Sequence, residues 1–240
     1  METELILKNR NKMKKDRTKL LIIQPHSDDA LFSCSHFLFN PEKYEVEVLT
    51  VENNPKRITE DKKLYEFLGI PNHFLQTGFD DQSYYGYFKE NKEVTVDAAC
   101  AFLKKFFGSE TLTDIEYKLE SFLEKFFKTH KDYTIVAPWG VGHPFHIFIR
   151  NVLEKNISYM MYYRDFPHSY KKRSKSQVEN QLTTYKLIES APVEEFHDVK
   201  WELAKKFYKT QSGLLFFESG YINKKLPEEV YIKIEQEMSF

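Results

Sequence analysis

The chain has 240 residues, with 41% hydrophobic and 30% charged side chains, a balance that excludes a disordered or fibrous protein and fits one large or two small globular domains. Its 35 basic and 36 acidic residues leave a net charge of −1, so the broad positive field of a nucleic-acid binder is missing. No stretch reaches the roughly 18 to 20 uninterrupted apolar residues of a membrane span, and neither a signal peptide nor a disulfide or cysteine-zinc framework is expected from Cys34 and Cys100; a cytoplasmic protein is the expectation.

Residues 1–17 are strongly charged and without sustained apolar period, which reads as a leader, with a single domain over 18–240. Residues 19–24 (Lys-Leu-Leu-Ile-Ile-Gln) form a short apolar run ended by Pro25, the pattern of a buried parallel strand. His26-Ser27-Asp28-Asp29 then turns into an apolar stretch, 30–38, that reads as one helix. A second strand is predicted over 44–51, a helix over 58–68 stopped by Gly69, and a short strand over 73–76. Residues 77–94 are polar and aromatic and read as a loop or lid.

The spacing of Ile115, Leu119, Phe122, Leu123, Phe126 and Phe127 predicts an amphipathic helix over 114–130. A strand over 133–137 exits through Pro138-Trp139-Gly140-Val141-Gly142-His143, and Pro144 suits the first position of a helix running over 145–155. A strand over 157–163 and helices over 176–189 and 200–209 complete the reading. The alternation implies an α/β fold: a Rossmann-like, mainly parallel sheet flanked by helices.

Two loops carry metal-capable side chains, and both follow a predicted strand: His26-Ser27-Asp28-Asp29 and His143-Pro144-Phe145-His146. In an open parallel sheet such loops converge beyond the carboxyl ends of the strands, where strand order reverses. Imidazole nitrogen and carboxylate oxygen suit zinc, and the set His26, Asp29, His146 leaves a position for water. One of Asp28 and Asp29 can ligate while the other serves as a base, and one of His143 and His146 can ligate while the other faces substrate.

The stretch Leu21 to Ser35 resembles the first signature of the PIG-L (LmbE-like) family of zinc-dependent N-deacetylases, and Gly142-His143-Pro144-Phe145-His146 resembles its second. Ser27, Ala30 and Phe145 depart from that pattern, the last standing where an acid is usual. The resemblance implies a Rossmann-like fold, zinc or another divalent metal such as Fe²⁺ on His26, Asp29 and His146, Asp28 as general base, and His143 stabilising the oxyanion or protonating the leaving amine. It further implies an N-acetylated amino sugar, free or conjugated, as substrate. Arg57, Trp139 and Arg164 are expected to contact it, with Tyr84, Tyr85 and Tyr87 as further pocket wall and Asp165 and His168 behind the site. The basic run Lys171-Lys172-Arg173 with Lys175 suits a nucleotide diphosphate or plain solvent. A nicotinamide or flavin enzyme is disfavoured, because the Gly140-Val141-Gly142 turn lacks a third glycine and carries Pro144 and Phe145. A non-haem iron oxygenase shares the two-histidine, one-carboxylate ligand set. A non-catalytic carbohydrate-binding or scaffold protein is the remaining alternative.

Overall fold

The computed structural model describes residues 17–52, 54–77, 95–191, 193–210 and 225–234. The expected leader, apart from Arg17, and the expected lid with its three tyrosines, apart from Thr77, lie outside the described residues. The elements are β1 (Thr18–Gln24), α1 (Asp29–Ser33), α2 (Ser35–Leu38), β2 (Tyr44–Thr50), α3 (Pro55–Leu68), β3 (Asn72–Phe74), α4 (Val96–Phe107), α5 (Ser109–Thr129) and β4 (Thr134–Pro138). They continue with α6 (Pro144–Asn156), β5 (Met161–Tyr163), α7 (Lys175–Gln181), β6 (Tyr185–Ala191), α8 (Val193–Phe207) and β7 (Glu228–Lys233). Two 3-10 turns, His168–Tyr170 and Lys172–Ser174, lie between β5 and α7.

The strands form one seven-stranded sheet in the order β3-β2-β1-β4-β5-β7-β6. The first five of these are mutually parallel, and β7 pairs antiparallel with both β5 and β6. Along β1, Leu21 and Ile23 face a core shared with α4, α5 and α6, while Leu20 and Ile22 face a second core under α1, α2, α3 and α8. A strand covered on both faces reads as a continuous apolar run, which is why β1 stands out in the sequence. Chain order reverses between β1 and β4: β2 and β3 extend to one side, β5 to the other. The loops leaving these two strands therefore diverge and open a crevice between them.

Several elements differ from expectation, among them the additional strand β7 and α8, which begins at Val193 and not at 200. The helix over 30–38 is two short helices, because Cys34 leaves helical geometry at φ −134° and the Glu228 carboxylate of β7 accepts from Ser35 Oγ and from His36 N–H at 3.0 Å. The helix over 176–189 ends at Gln181; the β-prone Tyr185–Ala191 becomes a strand because β7, a distant and unpredicted partner, pairs with it. α4 is an additional helix, started by Thr95, whose hydroxyl accepts from Ala98 N–H, and ended at Gly108. Only Met161–Tyr163 of the strand expected over 157–163 pairs. Both cysteines are free, and no helix among the described residues is long and apolar enough to cross a membrane.

A buried polar network joins β1, β2, α3 and the end of α8. Gln24 Nε2 donates to Thr50 Oγ1 at 2.7 Å and to Asp61 Oδ2 at 2.6 Å, and the Tyr208 hydroxyl donates to Asp61 Oδ1. Gln24 Oε1 in turn accepts from Ala30 N–H at 3.1 Å, so the network reaches the turn after β1. Burial pushes the Asp61 carboxyl up to about 7, against the hydrogen bonds from Tyr208 and Thr50. The folded protein thus keeps a proton that the unfolded chain releases near its ordinary value of 3.8. This group's contribution to stability falls as pH rises from about 4 to about 7 and is level above that. In Asp61→Asn that slope disappears: although the variant is less stable by about 1–3 kcal/mol through mispaired donors, its deficit in urea unfolding shrinks as the pH is raised through this interval. A deficit that is constant with pH would contradict a raised Asp61.

Candidate metal centre

The turn after β1 is held by its own side chains. Asp28 has φ 134°, the only positive value at a non-glycine among the described residues, a conformation L residues rarely adopt. This rotation separates two adjacent carboxylates. Asp29 curls back so that its Oδ2 accepts from His26 N–H at 2.7 Å, while Asp28 Oδ2 lies 3.5 Å from the Arg57 guanidinium. Arg57 also pairs with the buried Glu52 at 2.9 Å and donates to Ser27 O at 3.2 Å, and Glu52 accepts from Ser27 N–H at 3.3 Å. Glu52, two residues past β2, is a participant that the sequence pattern did not single out: an isolated acid after a strand carries no spacing signal.

The second turn places its histidines by helix geometry. His143 is the N-cap of α6, with Pro144 at the first helical position, and its Nδ1 accepts from Phe145 N–H at 3.2 Å. His146 follows one turn later, fully buried, and its Nδ1 is 2.7 Å from Asp165 Oδ1. Asp165, just past β5, also accepts from Val141 N–H at 3.0 Å. Because a carboxylate can only accept, His146 Nδ1 donates to it, and Nε2 is the nitrogen left to face His26 and Asp29.

Across the crevice the two turns meet. His26 Nδ1 is 3.0 Å from His146 Nε2, and Asp29 Oδ2 is 3.4 Å from the former and 3.3 Å from the latter. A tetrahedral ion with ligands at roughly 2.0–2.1 Å requires donor separations of about 3.3 Å, so these three atoms have the dimensions of one face of a zinc shell. His143 belongs to a looser group, its ligand atom lying within 4.8 Å of those of His26 and His146. Its chemistry differs from theirs: with Nδ1 accepting a backbone N–H, the neutral ring carries its proton on Nε2 and is a donor there rather than a ligand.

Burial works against ionisation of Asp29, yet His146 and His26 hold its carboxyl well below the usual range. Burial pushes Asp28 well above it, opposed by Arg57. His146, despite burial, is carried up to about 9 by Asp29 and Asp165, whereas burial together with the neighbouring His146 and His26 keeps His143 well below the ordinary imidazole value. The site thus pairs an ionised carboxylate with one that takes up a proton readily, which is the division needed for ligand and base.

Of the remaining expected residues, Arg57 borders the site. His168 packs its ring 4.8 Å from that of His143 and 5.3 Å from that of His146, centroid to centroid, and keeps partial exposure. Trp139 does not wall a pocket: it is fully buried in the core and stacked on Tyr231 at 4.3 Å, since the residue before Gly140 still continues β4 toward that side. Arg164 is paired with Glu229 of β7 and lies over the Tyr170 ring, so it ties the chain after β5 to β7. Phe145, which stands where the signature usually has an acid, is buried and packs its ring 5.5 Å from that of His26.

No family model and no curated protein matches this sequence. Solved structures do match its fold. A triple mutant of a deacetylase from the teicoplanin biosynthetic pathway superposes with a TM-score of 0.59 at 16% identity, covering 90% of this chain and 98% of that one. The A40926 pseudoaglycone deacetylase Dbv21 gives 0.57 at 18% identity, over 91% and 97% of the two chains. The zinc-inhibited form of teicoplanin deacetylase Orf2 gives 0.55 at 15% identity, over 90% and 98%. Across nearly its whole length, then, this chain has the fold of these deacetylases.

Proposed function

We propose that this protein is a metal-dependent N-deacetylase that hydrolyses the acetamide of an N-acetylated amino sugar, free or carried on a conjugate, and releases acetate and a free amine. The observation that carries the reading is the triangle of Asp29 Oδ2, His26 Nδ1 and His146 Nε2, with edges of 3.0, 3.3 and 3.4 Å, beside a second carboxylate in the crevice between β1 and β4. The fold shared with enzymes that deacetylate teicoplanin and the A40926 pseudoaglycone supports the reaction class and a sugar-bearing substrate.

In this reading His26, Asp29 and His146 hold zinc or another divalent metal such as Fe²⁺. Such an ion supplies Lewis acidity, which lowers the pKa of water and polarises an amide carbonyl. Asp28 accepts the proton of the attacking water on its carboxylate and returns it to the departing nitrogen, a role suited to a carboxyl raised by burial. Arg57 steadies that carboxylate, and its partly exposed guanidinium is the cation that faces the sugar. His143 donates from Nε2 to the carbonyl oxygen as charge develops there; a neutral imidazole suffices for that hydrogen bond. Asp165 keeps His146 in the tautomer that ligates.

Acetate release from a panel of N-acetylhexosamines and their conjugates, with and without chelator, tests the reading; a metal-replete protein that releases none across the panel contradicts it. Asp28→Asn is expected to retain bound metal while turnover falls by about 10²- to 10⁴-fold, read by metal analysis alongside the acetate assay. Asp165→Asn is expected to weaken metal affinity by about 10- to 100-fold with a smaller loss of kcat at saturating metal. Equal metal affinity in Asp165→Asn and the parent, measured by competition with a chelating dye, would remove Asp165 from this role.

A further inference from the structure

The turn between β4 and α6 holds His143 without regular secondary structure of its own. Trp139 N–H still pairs with Tyr163 O at 2.9 Å, but beyond it Gly140 and Gly142, at φ 69° and 77°, flank Val141 in a conformation with little intrinsic stiffness. The chain after β5 supplies the missing hydrogen bonds. Gln177 of α7 provides two: its Oε1 accepts from Gly142 N–H at 2.9 Å, and its Nε2 donates to Gly140 O at 3.3 Å. One side-chain amide therefore clasps the backbone on both sides of Val141, as a neighbouring strand would. Gly142 is also tightly backed, since a Cβ there would stand 2.5 Å from Ser174 Oγ and 2.9 Å from His168 O.

We propose that Gln177 is a positioning residue for His143, acting through the Gly140–Gly142 backbone. This deepens the deacetylase reading and rests on it. With Phe145 in place of an orienting acid, the Nδ1 of His143 takes its hydrogen bond from the backbone of α6, so the direction of the ring follows the turn that leads into the helix. Releasing the turn lets the Nε2–H donor drift from the developing oxyanion, while His26, Asp29 and His146, held by Asp165 and by the first turn, keep their places.

In Gln177→Ala, kcat is expected to fall by about 10- to 100-fold, the scale of a misplacement near 1 Å, with KM and metal affinity within about twofold of the parent. Gln177→Glu adds a readout that a merely structural role would not move. Its ionised carboxylate still accepts from Gly142 but sets an oxygen against Gly140 O; once protonated, it donates there as the amide does. The kcat of this variant relative to the parent should therefore recover as pH falls, while the ratio for Gln177→Ala stays flat. Amide exchange at Gly142, followed by NMR, should be faster in Gln177→Ala, whatever the substrate. Faster exchange with kcat within twofold of the parent overturns the proposal, as does a flat pH ratio for Gln177→Glu. Loss of metal affinity equal to the loss of kcat would show a structural role instead. If the parent itself releases no acetate, the deacetylase reading falls and this role with it, whereas a failure of Gln177 alone leaves parental turnover intact.

Discussion

A carboxylate oxygen held between two imidazole nitrogens is the constraint on which this architecture turns. Asp29 Oδ2 reaches within 3.4 Å of both His26 and His146, which arrive on loops far apart in sequence and meet because β1 and β4 are neighbouring parallel strands at the point of chain reversal. Around this contact gather Asp28, Glu52 and Asp165, all buried, against the Arg57 guanidinium and the raised His146. Charges of one sign brought together away from water are costly unless balanced. In the proposed reading a divalent cation would offset this acidic surplus, and the separations of the three donors suit one.

The sheet and the two site turns were legible because they depend on local pattern. Apolar strands buried on both faces, Pro25 and Pro144 at strand and helix boundaries, and Gly69 at a helix end each signal their structure within a few residues. What depended on a distant partner was not legible. Tyr185–Ala191 is a strand because of β7, and the apolar 30–38 stretch breaks because Glu228 reaches its middle. The placements of Trp139 and Arg164 were hidden for the same reason: a residue beside a site turn can point to either side of the sheet, and the partners Tyr231 and Glu229 decide which. Glu52 and Gln177, which act on backbone amides, leave no motif at all.

The substitution at Phe145 redistributes work within the site. An acid there would favour a charged His143, able to protonate a leaving amine. Here the Phe145 ring packs beside His26 and its backbone N–H, not a carboxylate, meets His143 Nδ1. Burial and the neighbouring His146 and His26 hold the imidazole well below its ordinary value, and with Nδ1 accepting, the proton of the neutral ring is at Nε2; in the proposed mechanism this suits an oxyanion donor and leaves proton transfer to Asp28. In the proposed reading, Phe145 thus narrows the role of one residue and leaves the three-donor face of His26, Asp29 and His146 intact.

The same economy explains why the backbone tolerates Asp28 at φ 134°. A residue held in a sparsely populated region costs on the order of 1–3 kcal/mol and persists only if its surroundings over-determine it. Asp29 bonds the His26 amide, Glu52 that of Ser27, Gln24 that of Ala30, and Arg57 braces the Ser27 carbonyl. At about 1 kcal/mol net for each such bond, four of them outweigh the strain. A relaxed turn would give adjacent carboxylates no such separation at this spot; the unfavourable angle sends one toward the two imidazoles and the other toward Arg57, the separation on which the proposed division into ligand and base rests.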